Sequence, residues 1–350
     1  MITLLRSRTL PMLALRRLAT VPLVLLALAS LVFVAMRQLP GSPSSSLAVG
    51  GTQGLTAEEI SANEARINEA LGLDRPIWEQ YLTYLGDLAR LDLGSSFYGG
   101  NSVLSLLAGA LPATIELTIA AMAIAVVLGV VSGVIAALRK DTWIDTATRS
   151  VATVSFSLPW FALGVLSIVI FGVWLRWLPV LGRLPSQLDY RPTTNFVLLD
   201  AVLQDRPELI WPWLQYLILP ATTLALAMAG FITRIVRASV LEVLSDDFVR
   251  TARMKGLREG RILRKHVLRN SGLPIVTVLG LQFGSLLGGS VITEQVFSYP
   301  GVGNLLVSSV LQRDYPVVQG AALAIALLFV LVNAAVDIFY LVLDPRLRKG

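Results

Sequence analysis

The chain has 350 residues, of which 55% are hydrophobic and 15% charged, with a mean hydropathy of +0.69. Soluble domains carry about 25% charged residues, so this balance excludes a soluble globule and implies several membrane spans. Cysteine is absent, which excludes disulfides, thiol catalysis and thiolate metal sites, and the single histidine, His266, cannot alone build a histidine-rich metal site. The net charge of +6 is therefore read by position, as a record of topology.

Residues 1–17 carry Arg6, Arg8, Arg16 and Arg17 and no acid. The apolar run 18–36 that follows is 19 residues long, longer than the ~7–15 of a signal-peptide core. It is expected to be the first span, with the amino terminus inside. Residues 37–110 are too long for a turn and form an expected extracytoplasmic subdomain. Within it, Thr56-Ala-Glu-Glu59 has capping-box form and opens a helix that Gly72 would close. Asp74-Arg75-Pro76 begins a second helix whose apolar face is Ile77, Tyr81, Leu85 and Leu88.

The second span is expected over 111–138, with Gly129 and Gly133 spaced for close helix packing and Glu116 one turn inside its start. The third covers 144–175, kinked at Pro159, with Trp174 and Trp177 at its interface. A polar excursion, 176–212, leads to the fourth span, 213–232, which exits at Arg234 and Arg237. The fifth, 273–293, carries Gly280, Gly284 and Gly288 four residues apart, a groove of bare backbone on one helix face. A short segment from Glu294 to Gly303 separates it from the sixth span, 317–343, which holds Asn333 and Asp337, and a basic tail, 344–350, follows. Six spans place both termini on one side. The segments assigned inside, 1–17, 139–149, 234–272 and 344–350, hold 20 of the 29 Lys and Arg, as the positive-inside rule requires.

Segment 234–272 is the densest in charge, with ten basic residues and four acids. It reads as two short helices broken at Gly256 and Gly260. Phe248, Ala252 and Gly256 lie four apart, a narrow small-residue face, with Arg250 and Arg253 elsewhere. Ile262, Leu263 and Val267 oppose Arg261, Arg264 and Lys265. Each half is amphipathic, with one face for the membrane domain and one for a partner; an ordinary basic loop touching anionic lipid is the plainer alternative. Glu116 and Asp337 allow a proton relay, against which stands simple pairing with a nearby basic or backbone group.

The run Phe248-Val-Arg-Thr-Ala-Arg-Met-Lys-Gly256, with Leu268 downstream, is similar to the cytoplasmic coupling loop of ABC-importer permeases. Arg250 and Thr251 stand where the generic motif has Glu and Ala, and Arg269 where it has proline, and both departures resemble the peptide-import branch. Leu71-Gly-Leu-Asp-Arg-Pro76, Leu111-Pro-Ala-Thr-Ile-Glu116, Glu294-x-Val-Phe-x-x-Pro-Gly-x-Gly303, Asp314-Tyr-Pro-Val-Val-Gln-Gly320 and Leu343-Asp-Pro-Arg346 resemble that branch in the same order.

The resemblance to a dipeptide/oligopeptide ABC-transporter permease implies an all-α polytopic protein with six transmembrane helices and the type I ABC-importer permease fold. Core 111–343 would form half of a translocation pathway in the cell membrane, both termini cytoplasmic. A second homologous permease, two ATPase subunits and an extracytoplasmic solute-binding protein would be its partners. The chain has no Gly-xxxx-Gly-Lys-Ser/Thr phosphate loop, so it would be neither an enzyme nor its own motor, ATP and Mg being bound by the ATPase subunits. Phe248, Arg250, Thr251, Ala252, Arg253, Lys255, Gly256 and Arg261 would form the ATPase-coupling interface. Gly129, Gly133, Gly280, Gly284 and Gly288 would serve packing and pathway. Glu294, Phe297, Pro300, Gly301 and Gly303 would lie at the outer gate, on the binding-protein side. An ion-gradient-driven transporter, and a permease of the same family carrying nickel or another small solute, are the alternatives.

Overall fold

The computed structural model describes residues 9–38, 62, 65, 66, 68, 69 and 72–343. The capping box at 56–59 and the tail 344–350 lie outside the described residues. The helices are α1 (Thr9–Gln38), α2 (Ile77–Ala89), α3 (Val103–Leu138), α4 (Trp143–Ser157), α5 (Trp160–Ser167, continued by a π-helical stretch Ile168–Trp174), α6 (Val197–Leu203), α7 (Ile210–Leu244), α8 (Asp247–Met254), α9 (Leu268–Val296), α10 (Val302–Gln312) and α11 (Tyr315–Leu343). Among the described residues five helices are long and apolar enough to cross a membrane, and the pair α4 and α5 makes a sixth span if taken as one.

Helix boundaries follow local chemistry. Gly72, at φ +65°, ends the helical turn before it: its N–H reaches the Glu69 carbonyl at 3.1 Å and that of Leu73 reaches Asn68 at 2.8 Å, a Schellman close. Pro76 then precedes α2, fixed at φ −54°. Leu158, extended because Pro159 follows it, ends α4 (φ −79°, ψ 133°), and α5 leaves at 105° to α4. Pro159 thus breaks the helix outright where the sequence suggested a kink. Span three is two helices at a right-angled corner.

Helix α7 is the axis of the bundle. Its apolar span is 72% buried, against 28% for that of α3. It runs to Leu244, past the exit read at Arg234 and Arg237, because both arginines are accommodated on a continuous helix. Gly129 and Gly133 of α3 have no room for a side chain: a Cβ would lie 2.6 Å from Ile232 at the first and 2.7 Å from Val236 at the second. Gly230 does the same toward α4, against the Ala152 carbonyl. Such contacts let backbones approach closely where hydrophobic burial gives little.

Two further clusters sit at the periphery. Val103 and Leu107 of α3 pack on Val317 and Ala321 of α11. Val32 and Met36 of α1 pack on Tyr315 and Val318. Helix α2 lies across the end of α1, where Phe33 stacks on Tyr84 (5.6 Å) and meets Tyr81 edge-on (5.1 Å). Its inward face includes Tyr81, Tyr84 and Leu88, while Ile77 is 65% exposed.

Replacing Gly133 with leucine should force α3 from α7, an overpacking of about 1–3 kcal/mol or more. The detergent-solubilised chain should melt several degrees lower. Gly288→Ala, at a glycine with open space around it, should melt as the native chain does.

Candidate functional site

Between α7 and α9 the chain forms an elbow. Helix α8 is eight residues long, and Val249 and Ala252 are its buried side chains. Its exit is set by Gly256 at φ +74°, a conformation costly for other residues. The Gly256 N–H donates to the Arg253 carbonyl (2.9 Å) and the Leu257 N–H to Ala252 (3.3 Å). After one turn, Glu259–Arg261, a π-helical stretch Ile262–Val267 leads into α9, with Ile262 and Val267 fully buried.

The outward face of the elbow carries Phe248 (40% exposed), Arg250, Thr251, Arg253, Met254 (76% exposed), Lys255, Gly256 and Arg261. Arg253 donates to Glu259 at 2.9 Å and holds that carboxylate below its usual range. Arg250 pairs with Asp247 at 3.6 Å. The structure therefore separates the three residues grouped by sequence spacing. Ala252 faces inward with Val249, while Phe248 and Gly256 face outward. The helix stops at Met254, so periodicity cannot be extended to Gly256. Gly260 lies within the helical turn and is no break.

A buried ion pair fixes the root of the elbow. Arg237, seven residues before the end of α7, makes two hydrogen bonds of 2.7 Å to Asp145 in the first turn of α4. Asp145 is 1% exposed and also accepts the Asp141 N–H at 3.1 Å. Neither residue was singled out as a pair in the sequence, because 92 positions separate them.

At the opposite face, Glu116 accepts from Arg183 (2.5 Å), the Val197 N–H (2.8 Å) and the Trp213 indole (3.1 Å). This pins the excursion between α5 and α7 onto α3. Asp200 organises the same excursion, accepting from Tyr190 (2.7 Å), Thr193 (3.1 Å) and both groups of Thr194 (2.8 and 2.7 Å). Burial raises its pKa, but these donors outweigh burial and hold the carboxyl below its ordinary value. Glu116 is thus a structural anchor, and the side chain of Asp337 lies outside the described residues.

The segment from Glu294 to Gly303 is folded on itself. The buried Glu294 carboxylate accepts from Thr114 (2.7 Å) and from the Asn304 N–H (3.1 Å), at the amino end of α10. There the first N–H groups of the helix supply donors to the buried carboxyl group. Gly301 is packed against that carboxylate, and a Cβ at Gly303 would lie 2.9 Å from it. Phe297 is 1% exposed, and its carbonyl accepts the Gly182 N–H at 3.0 Å. Of the residues expected at an outer gate, Pro300 is exposed, whereas Glu294, Phe297, Gly301 and Gly303 are interior.

The glycines of α9 differ among themselves. Gly280 is buried. Gly284 lies against Phe329, 2.8 Å from a would-be Cβ, and near Asn333. Gly288 faces open space, and the tight contact next to it belongs to Gly289, against Trp160. Among the described residues no group of three or more His, Asp or Glu side chains is placed to hold a metal.

Residues 129–349 match the family described as binding-protein-dependent transport system inner membrane component. The chain is 39% identical over 326 residues to the di/tripeptide transport system permease protein DppB of Pseudomonas aeruginosa (strain UCBPP-PA14), covering 91% of this chain and 93% of that one. It is 37% identical over 337 residues to the dipeptide transport system permease protein DppB of Escherichia coli (strain K12), covering 95% and 98%. It is 40% identical over 330 residues to the probable D,D-dipeptide transport system permease protein DdpB of the same organism, covering 94% and 95%. The fold resembles that of a chain in an inward-facing structure of the MetNI methionine ABC transporter. The TM-score is 0.50 and the identity 17%, over 69% of this chain and 97% of that one. With its all-α, multi-pass architecture, this chain belongs to the family of inner membrane components of binding-protein-dependent transport systems.

Proposed function

We propose that the chain is one of two permeases in an ATP-driven importer of dipeptides or short oligopeptides. The observation that carries the coupling role is the elbow itself. Its apolar face, Val249, Ala252, Ile262 and Val267, is sunk in the bundle, and its outward face is basic and uncovered by the described residues. An ATPase subunit is the partner such a face suits: Phe248 and Met254 supply apolar contact, and Arg250, Lys255 and Arg261 supply charge. Closure of the motor would be passed on by the direct continuation of the elbow into α9 and by the Arg237–Asp145 pair at its root. In this reading the elbow and both termini are cytoplasmic, and the excursion 176–212 and the subdomain 37–110 face the solute-binding protein. The peptide cargo rests on the relatives, which are described as peptide permeases. They do not favour the ion-gradient alternative.

The complex of this chain with its partner permease, ATPases and binding protein, reconstituted in proteoliposomes, should take up a labelled dipeptide only with ATP inside, and vanadate should block it. Uptake driven by a proton or sodium gradient without ATP would overturn the reading. At Gly256→Leu the new Cβ has nothing within 4 Å of it. The substitution does place a side chain at positive φ, costing about 1–2 kcal/mol and loosening the turn. The complex should assemble but lose most of its substrate-stimulated ATPase and uptake; native levels of both would refute the coupling role.

Asp145→Ala should leave the partly buried Arg237 without its counter-charge, destabilising the chain by about 1.5–3 kcal/mol, the range for hydrogen bonds to charged groups. Adding Arg237→Met should restore most of that loss in thermal melting. Uptake, if the pair stiffens the root of the elbow, should stay impaired in the double variant.

A further inference from the structure

A cavity of about 370 Å³ lies between α2, the end of α1 and the start of α11. That volume is within the ~300–1,000 Å³ of ligand pockets. Its walls include Arg37, Tyr84, Asp87, Phe97, Tyr315 and Leu323. Its depth is set by the spans that border it: the first ends at Gln38 and the last begins at Tyr315. The cavity therefore opens at the membrane surface. Leu323 lies eight residues along α11, about 12 Å toward the hydrocarbon at 1.5 Å per residue.

The polar groups in it are incompletely used. Among the described residues Arg37 donates to neutral partners, the Gln80 side-chain oxygen (2.6 Å) and the Phe33 carbonyl (3.3 Å). Its guanidinium carbon stands 3.4 Å from the Phe33 ring centroid. A guanidinium has five N–H donors, and a cation with neutral partners at a membrane surface suits a phosphate. Among the described residues the buried hydroxyl of Tyr84 has no hydrogen-bond partner. Burial pushes that phenol up to about 12, so it remains a donor at neutral pH. An orphaned buried hydroxyl is costly, and an acceptor bound beside Arg37 would offset that cost. Glu69, Asp87 and Asp92 also line the cavity and add negative charge, which suits an ammonium group, while Arg75 adds a second cation to the wall. The set is zwitterionic, with apolar wall on its inner side.

We propose that this cavity binds the phosphoethanolamine headgroup of a membrane phospholipid. The phosphate sits at Arg37 within reach of Tyr84, the ammonium at Asp87, and the acyl chains descend along α11 past Leu323. The bound lipid fills the space between α2 and the span ends and so ties the subdomain to the core. This reading is independent of the cargo and of the motor.

The test is native mass spectrometry of the intact importer complex, delipidated in detergent and titrated with phosphatidylethanolamine, phosphatidylcholine or phosphatidylglycerol of identical acyl chains. Inorganic phosphate serves as a separate arm. Phosphatidylethanolamine should be retained in preference to the other two lipids. Arg37→Gln should weaken its retention about tenfold, and Asp87→Asn should abolish the preference over phosphatidylcholine. Because Arg37 also holds Gln80, Tyr84→Phe is the cleaner variant. It keeps the ring stacked on Phe33 and removes only an unpartnered hydroxyl. The delipidated variant should be as stable as the native chain or more so, yet retain phosphatidylethanolamine about threefold less well. Equal retention of all three lipids, unaffected by these variants in assembled complex, would overturn the proposal. So would protection from thermal unfolding by millimolar inorganic phosphate equal to that given by the lipid, which would mark a soluble-anion site.

Discussion

Lipid tails are as apolar as leucine, so transmembrane helices gain little by burying hydrophobic surface against one another. What holds this bundle is the backbone approach of α7 to α3 and α4, at Gly129, Gly133 and Gly230. Van der Waals contact over bare helix surface is the attraction that remains once hydrocarbon surrounds everything. The rest of the chain is arranged about that axis. Helix α9 packs on its other side, and α1 and α11 form a separate layer with α2 lying over its end.

Polar groups then fix what packing alone would leave free to slide. Arg237–Asp145 locks α7 to α4 on the elbow side, and Glu116 with Arg183 and Trp213 locks α3 to α7 on the other. These buried pairs are expensive to desolvate and add little net stability against a well-packed apolar alternative. Their value is in register. They specify which turn of one helix meets which turn of the next, and hence where the elbow projects.

Much of this was legible in the sequence, and the parts that were not share a cause. Long apolar runs announce helices in lipid, and the Gly129/Gly133 spacing announces a close neighbour. The left-handed cap at Gly256 follows from a glycine just after a short amphipathic stretch. The inward face of α8 was not legible, because eight residues offer both Phe248 and Val249 as apolar choices and only the tertiary fit selects Val249. The family resemblance places Glu294 at an outer gate with Pro300, Gly301 and Gly303, and says nothing of its burial. Those glycines in fact make room for its carboxylate at the start of α10. Arg183 and Asp200 escaped notice because their partners are set by the folding of an irregular excursion, which has no periodicity to read. Spacing treats Gly280, Gly284 and Gly288 of α9 alike, while the structure distinguishes a packed Gly284 from an open Gly288.

The corner at Pro159 has one more implication. Helix α4 is 15 residues long, about 22 Å, too short to cross a hydrocarbon layer of ~30 Å. Its last carbonyls therefore end at a depth where acyl chains offer no donor, and proline supplies none. Bare peptide groups do not persist against lipid; they are found only beneath protein or beside water. Phe156, Ser157 and Pro159 are left exposed by the described residues. That corner is therefore a place for water or for further protein surface, and bare lipid does not suit it.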